Sequence, residues 1–209
     1  MSITKPIRHQ SSRNIWGFVL FAFLFYYLPV ILIWLDIIPF SFRFWLLLIM
    51  TCVVFLYQVV RKRTLKELGF RRDTLKDSLL WNGIFSFILA AIILILYLAQ
   101  LIREPTTPQW QWFFVFYIFI SSPSQEFLYR SSVFAEMNTR RILNPYTQIA
   151  ISSVTYSFLH IIYNDIITLL VTLFAGIIWG VIYYKRPNFW GVALSHAVLG
   201  VISILVGLI

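Results

Sequence analysis

The stretch Ser121-Ser122-Pro123-Ser124-Gln125-Glu126-Phe127-Leu128-Tyr129-Arg130 decides how this chain folds. It places hydroxyls, an amide, a carboxylate and a guanidinium inside an otherwise apolar sequence. Glu126 and Arg130 are four residues apart, so on a helix they lie on the same face and can pair. A charge in the middle of a bilayer costs several kcal/mol, and intramembrane charges are therefore functional candidates. We expect the rest of the chain to be a membrane scaffold for this polar stretch.

The composition supports a membrane protein. Of the 209 residues, 60% are hydrophobic and 12% are charged, whereas soluble domains carry roughly 45–50% apolar and about 25% charged residues. Apolar segments long enough to cross a bilayer of about 30 Å occur at 16–35, 44–60, 79–102, 110–138, 146–162, 166–184 and 188–207. The sequence therefore predicts an all-α, polytopic transmembrane bundle of about seven spans.

The fourth segment is unusual because it contains Pro123 together with the polar stretch. Proline removes a backbone donor and kinks a helix, so we expect a kink in this span at Pro123. We divide the chain into 1–78, an N-terminal two-span segment with a basic cytoplasmic loop, and 79–209, a helical core that carries the chemistry. Both parts belong to one integrated membrane domain.

The basic residues predict the orientation of the chain. With a cytoplasmic N-terminus, the 17 Lys and Arg residues fall in cytoplasmic segments except Arg43, Arg103 and Arg130, as the positive-inside rule predicts. This orientation accounts for the net charge of +9, and we expect no nucleic-acid partner. We expect a multi-pass protein of the plasma membrane, in contact with the lipid bilayer.

Three further features concern the scaffold. The basic loop from Arg61 to Asp77 is either an interfacial amphipathic helix or a solvated connector, in which Thr74 and Asp77 cap the third span. Gly176 and Gly180 form a small-xxx-small pair that lets helix backbones approach closely. The single cysteine of the chain excludes a disulfide framework and a Cys-based zinc site.

Two histidines lie within predicted spans. Counted from the cytoplasmic ends of their helices at about 1.5 Å per residue, Glu126, His160 and His196 lie roughly 21, 22 and 15 Å deep. A carboxylate, the amide of Gln125 and two imidazoles at one level can activate water and stabilise an oxyanion. Each histidine can also be only a packing residue that joins helices, and the Glu126–Arg130 pair can be purely structural.

The sequence also resembles a known family. Residues 125–130 are similar to the Glu-Glu-x-x-x-Arg motif of the CPBP family, the CAAX proteases and bacteriocin-processing enzymes that are also called the Abi family. Residues 156–160 are similar to its second motif, Phe-x-x-x-His, with Tyr156 in place of Phe. His196 is similar to the histidine of its third motif, His-x-x-x-Asn/Asp. The motifs follow the family's order between residues 79 and 207.

The resemblance implies an intramembrane endopeptidase, which hydrolyses a peptide bond of a membrane-associated protein or peptide near the cytoplasmic face. In the family, the first glutamate and the first histidine are thought to activate water, and the second histidine and the Asn/Asp to form the oxyanion site. For this chain we expect Glu126 and His160 to activate water. We expect His196 and Gln125 to stabilise the oxyanion, with Arg130 holding the carboxylate.

The chain departs from the family at two positions. Gln125 stands where the family has its first glutamate, and an amide cannot act as a base. Gly200 stands at the Asn/Asp position. Either the chemistry is reassigned, or hydrolysis is lost and the protein is a non-catalytic scaffold or a bacteriocin-immunity protein. A third interpretation is a small transporter whose buried ionisable groups relay protons.

Two supporting features stay open. Tyr156, one turn before His160, can hydrogen-bond it, line the pocket or only pack. The residues allow either no cofactor or zinc, since His160, His196 and Glu126 would form a His₂Glu set that zinc accepts. Arg130 competes for the same carboxylate, and a metal cation beside a guanidinium is electrostatically unfavourable. The expected partner is a peptide or protein substrate that enters from the membrane or the cytoplasmic side.

Overall fold

A computed structural model describes residues 8–102, 112–142 and 144–208. Within these ranges the chain forms seven helices and no strand, which confirms the predicted all-α class. Four helices have simple bounds: α2 Arg43–Val60, α3 Leu75–Leu98, α6 Ile166–Lys185 and α7 Phe189–Leu205. Helix α1 consists of Arg8–Ala22, a π-helical turn Phe23–Tyr27 and Leu28–Trp34.

The two remaining helices carry the polar residues of the bundle. Helix α4 is a succession of Phe113–Phe116, the π-helical turn Tyr117–Ser121, Ser122–Glu126, the π-helical turn Phe127–Ser132 and Val133–Thr139. Helix α5, Pro145–Leu159, continues into a 3₁₀ turn, His160–Tyr163. The predicted start of the fourth span at residue 110 lies outside the described residues.

Four helical segments in the described part of the chain are long and apolar enough to cross a membrane: Ile15–Trp34, Phe40–Val60, Leu75–Leu98 and Ile166–Lys185. Helix α7 is a shorter apolar helix. Helices α4 and α5 are not among them, since their buried faces are rich in polar side chains. The protein is an integral membrane protein, and the crossing of the membrane by all seven helices stays a prediction.

Pro123 lies between the two π-helical turns of α4. Such turns are rare, and they are frequent at functional sites and at bends. The hydroxyl of Ser122 donates to the carbonyl of Ala193 on α7 at 3.3 Å, and so it joins two helices. The kink at Pro123 itself stays a prediction.

At each end of the bundle, a hydrogen bond joins segments that are far apart in the sequence. At one end, the backbone N–H of Phe189 donates to the carbonyl of Gly69 at 2.8 Å, which joins the start of α7 to the basic loop. At the other end, Trp34 Nε1 donates to Asn164 Oδ1 at 3.2 Å. The basic loops therefore share one end, as their charges predict. Which end faces the cytoplasm stays a prediction.

The loop between α2 and α3 is not the predicted interfacial helix, and it matches the predicted solvated connector in part: most of it is exposed, Thr74 stands at the N-cap position of α3 and Asp77 lies in the first turn. Between residues 61 and 74 the chain forms turns, and no helix. Leu68 is buried against the bundle, while Leu65 is exposed. Thr74 does not cap α3 with its side chain; its hydroxyl donates to the carbonyl of Pro187 at 2.8 Å. The loop is therefore docked on the bundle by specific contacts, because its backbone finds partners there.

Helices α5 and α6 approach closely through small residues. A Cβ added at Gly176 would lie 3.3 Å from Cα of Ser153, and one added at Gly180 would lie 3.3 Å from Cγ2 of Ile149. The predicted packing role of these two glycines is confirmed. Their close contact fixes the position of α6 against the helix that carries His160.

A buried ion cluster joins α4 to the two neighbouring basic loops. Glu136 is fully buried, and its carboxylate lies 3.4 Å from Arg63 Nη2 and 2.9 Å from Arg140 Nε. Glu136 belongs to none of the motifs above. Its two arginines bring two sequence-distant loops to one carboxylate.

Replacing Glu136 by Ala should destabilise the protein, because it leaves the largely buried guanidinium of Arg140 without its carboxylate and leaves Arg63 only the half-exposed carboxylate of Glu67, 4.0 Å away. Breaking a buried ion pair in this way costs about 3–5 kcal/mol. We expect a clear drop in the midpoint of thermal unfolding of the purified protein in detergent. The matched control is Asp73→Ala, which removes a half-exposed carboxylate that also has two cationic neighbours and should change the midpoint little. Equal effects of the two substitutions would contradict the cluster's role.

Candidate active site

Side chains from α4, α5 and α7 meet inside the bundle. Glu126 Oε1 accepts a hydrogen bond from His196 Nδ1 at 2.7 Å, and His196 Nε2 lies 3.3 Å from the hydroxyl of Tyr156. His160 Nδ1 lies 3.1 Å from the backbone oxygen of Tyr156, and the two rings are 5.0 Å apart between centroids. Four residues that the sequence singled out therefore form one continuous cluster.

The local structure explains how the helices present these side chains. Tyr156 and His160 are four residues apart at the end of α5, so they share one helix face. Asn144 begins that helix by accepting a hydrogen bond from the backbone N–H of Thr147 at 3.1 Å. Asn188 begins α7 in the same way, since its Oδ1 accepts a hydrogen bond from the backbone N–H of Trp190 at 3.1 Å. Both caps satisfy donors that would otherwise lack partners, which fixes where each histidine-bearing helix starts.

The hydrogen bonds assign a tautomer to both imidazoles. A carbonyl and a carboxylate only accept hydrogen bonds, so Nδ1 carries the proton in His160 and in His196. In a neutral imidazole the other nitrogen, Nε2, is then an acceptor. At His196 this nitrogen meets the hydroxyl of Tyr156. His160 therefore presents an unprotonated Nε2, which is the form in which histidine acts as a general base.

Arg130 is fully buried next to the cluster. Its Nε lies 3.5 Å from Oε2 of Glu126, and Cζ lies 4.7 Å from the centroid of the Tyr156 ring. A guanidinium over an aromatic face gains a cation–π attraction. Arg130 therefore lies where the predicted pairing with Glu126 requires it, and it also touches the tyrosine of the cluster.

Gln125 makes its hydrogen bond to a residue of its own helix, α4. Its Nε2 donates to Oγ of Ser121 at 3.1 Å, and its Oε1 is buried without a hydrogen-bond partner among the described residues. No hydrogen bond between described residues joins Gln125 to His160 or to His196. The expected oxyanion role of Gln125 therefore stays a prediction.

Two aromatic residues that no motif contains complete the surroundings of His196. Trp179 on α6 stacks on its imidazole, with centroids 4.9 Å apart and planes at 25°. The same indole donates from Nε1 to Oγ of Ser195 at 2.9 Å. Tyr117 on α4 presents its ring to His196 at 6.1 Å. The position of Trp179 between the two packing glycines of α6 is a usable sequence signal, whereas Tyr117 lies in an ordinary aromatic run.

Gly200 lies four residues after His196 on α7 and packs against Tyr117. A Cβ at Gly200 would overlap the hydroxyl of Tyr117 and lie 2.6 Å from its Cζ. The missing side chain therefore makes room for the phenol. The position at which the resemblance leads us to expect an Asn or Asp is filled by a tyrosine from another helix.

The geometry does not fit the predicted zinc set of His160, His196 and Glu126. A zinc site needs several ligand atoms directed at one point. Here His196 Nδ1 and Glu126 Oε1 are bonded to each other, and Arg130 flanks the second carboxylate oxygen. In the described ranges, no group of three His, Cys, Asp or Glu side chains could hold a metal ion.

Comparison with known proteins points to the same region. The Rce1-like family, described as type II CAAX prenyl endopeptidase Rce1-like, matches residues 107–202. This segment contains all three motifs, and the resemblance to the CPBP family is confirmed. No curated protein and no solved structure matches the chain significantly.

The Glu126–Arg130 pair can be tested by a double-mutant cycle. Glu126→Ala should lower the thermal midpoint in detergent strongly, because a buried guanidinium without its counter-charge costs about 3–5 kcal/mol. Adding Arg130→Met should recover part of this loss, since no buried charge is then left. Glu126→Gln is the conservative control, because it keeps an acceptor for His196. Strictly additive effects of the two single substitutions would show that the residues are not coupled.

Proposed function

We propose that this protein is an intramembrane endopeptidase of the CAAX-protease type, which hydrolyses a peptide bond of a membrane-associated protein or peptide near the cytoplasmic face. The observation that carries the proposal is the chain of contacts from His160 through Tyr156 and His196 to Glu126. It lies inside the segment that matches a family of membrane proteases.

His160 is the group best suited to activate water. Its Nδ1–H is held by a backbone carbonyl, so its Nε2 can accept a proton. During attack, the water oxygen bonds to the carbonyl carbon while its proton moves to Nε2, and the carbonyl oxygen becomes an oxyanion. When the C–N bond breaks, the imidazolium returns the proton to the leaving amine, as histidine does in other hydrolases.

Glu126 and His196 act on the oxyanion through Tyr156. A carboxylate at 2.7 Å from Nδ1 orients the imidazole, as a buried aspartate does in a serine protease. Whenever both ring nitrogens of His196 carry a proton, Nε2 donates to the oxygen of Tyr156, and the tyrosine hydroxyl is then free to donate to the oxyanion. In this mechanism Glu126 orients His196. From the sequence alone we expect Glu126 to activate water.

Unpaired polar atoms beside this cluster support a site that binds water or substrate. Gln125 Oε1 and Arg130 Nη2 are buried and have no hydrogen-bond partner among the described residues. Glu126 Oε2 and Arg130 Nε face each other as an ion pair at 3.5 Å, and neither atom has a hydrogen bond among these residues. Buried polar atoms are normally paired. A peptide group or water would supply the partners that these atoms lack.

A second candidate function is a non-catalytic scaffold or an immunity protein with the same fold. Two observations favour it. Gln125 carries an amide at the position of an acidic group, and the cluster is closed, with Glu126 fully buried and His160 only 8% exposed. This candidate predicts an inert protein that co-purifies with a membrane partner.

The proposed peptidase activity can be measured with fluorogenic lipidated peptides and leader-type peptides in detergent or liposomes. His160→Ala should lower the rate by about 10²–10⁴-fold, the contribution typical of a general base. Ile161→Ala is the matched control, since it alters packing in the same 3₁₀ turn without touching the cluster, and it should keep most of the activity. A wild-type protein that is inert against all peptides would favour the scaffold.

We expect turnover without a metal ion, because Glu126 is already engaged by His196 and Arg130 and the described residues offer no set of three ligands. We expect the same kcat before and after dialysis against EDTA and 1,10-phenanthroline. The control is the dialysed protein with added zinc, which should show no gain. Loss of activity on dialysis with recovery by zinc would contradict the metal-free mechanism.

A further inference from the structure

We propose that Tyr117 is a catalytic residue of this site and that its hydroxyl donates a hydrogen bond to the carbonyl oxygen of the scissile peptide bond. The inference rests on the proposed peptidase function. Tyr117 lies outside the three sequence motifs. Its position also explains the glycine at residue 200, which leaves room for the phenol.

Tyr117 lies on α4 at the start of the polar part of that helix. Tyr117 and Ser121 are the two buried residues of the π-helical turn that begins the polar part of this helix. Ser121 in turn accepts the hydrogen bond of Gln125. Tyr117, Ser121 and Gln125 therefore follow one another at four-residue intervals along α4, and Glu126 is the next residue of the chain.

Tyr117 contacts α7 at His196 and at Gly200. The ring of Tyr117 lies edge to face with His196, at 6.1 Å between centroids and 72° between planes. Its hydroxyl lies against Gly200 so closely that a Cβ there would overlap it. Because residues four apart share a helix face, the phenol lies on the same side of α7 as His196.

The phenol of Tyr117 is chemically suited to stabilise an oxyanion. A phenol is a good hydrogen-bond donor with a rigid side chain, and donors fixed in a low-dielectric site stabilise a developing oxyanion far better than water does. Tyr156 reaches the cluster from α5 and Tyr117 reaches it from α4. Two hydroxyls from different helices provide the pair of donors that an oxyanion site needs, and neither requires a side chain at position 200.

The substitution Tyr117→Phe removes the hydroxyl and keeps the ring that packs on His196. We expect kcat to fall by about 10²–10³-fold, the loss typical for one oxyanion donor, with KM changed by only a few-fold. Tyr146→Phe is the matched control, since this tyrosine is 82% exposed, and it should leave both constants unchanged. An unchanged kcat in Tyr117→Phe, with an active wild type, would overturn the inference and leave the peptidase function standing.

A swap between the two helices separates a catalytic role from a structural one. Gly200→Ala should lower kcat, because the added Cβ displaces the phenol of Tyr117. In the double variant Tyr117→Ala with Gly200→Asn, the asparagine on α7 supplies a donor in place of the lost phenol. We expect this double variant to be at least about ten-fold faster than Tyr117→Ala alone, in line with the value of one donor. Recovery of the thermal midpoint without recovery of kcat would show that Tyr117 only packs. A wild type without any turnover would overturn the proposed function, and the donor role with it.

Discussion

The structure depends on keeping one carboxylate and one guanidinium out of water. Glu126 and Arg130 are both fully buried, and moving either ion alone into the bundle would cost more than most single interactions can offset. The carboxylate therefore needs the guanidinium at 3.5 Å and His196 at 2.7 Å. The helices that supply these partners have to lie where the charges require them, and the packing of α4 against α7 follows from that.

The aromatic side chains around the pair serve the same requirement. Tyr156 offers its ring to Arg130 and its hydroxyl to His196, and Trp179 stacks on the imidazole. Aromatic faces attract cations and still fit an apolar interior. They pack against the charged cluster inside the bundle, beside the polar side chains that α4 and α5 bury.

The sequence predicts those parts of the site that depend on spacing within one helix. The four-residue intervals between Glu126 and Arg130, and between Tyr156 and His160, place each pair on one face, and the apolar segments predict the seven helices. The contacts between helices do not follow from spacing. That Glu126 meets His196, and that Tyr117 meets Gly200, depends on how α4 rotates against α7, and the π-helical turns of α4 shift that rotation away from a regular helix.

The amide of Gln125 is consistent with the charge balance of the cluster. With glutamine at this position, the cluster holds one carboxylate and one guanidinium, and these two charges balance. Among the described residues, the guanidinium paired with Glu126 is that of Arg130. A second carboxylate next to Glu126 would therefore add a buried negative charge without a counter-charge of its own. The amide is therefore compatible with a mechanism in which histidine is the base and the hydroxyls of tyrosines carry the oxyanion.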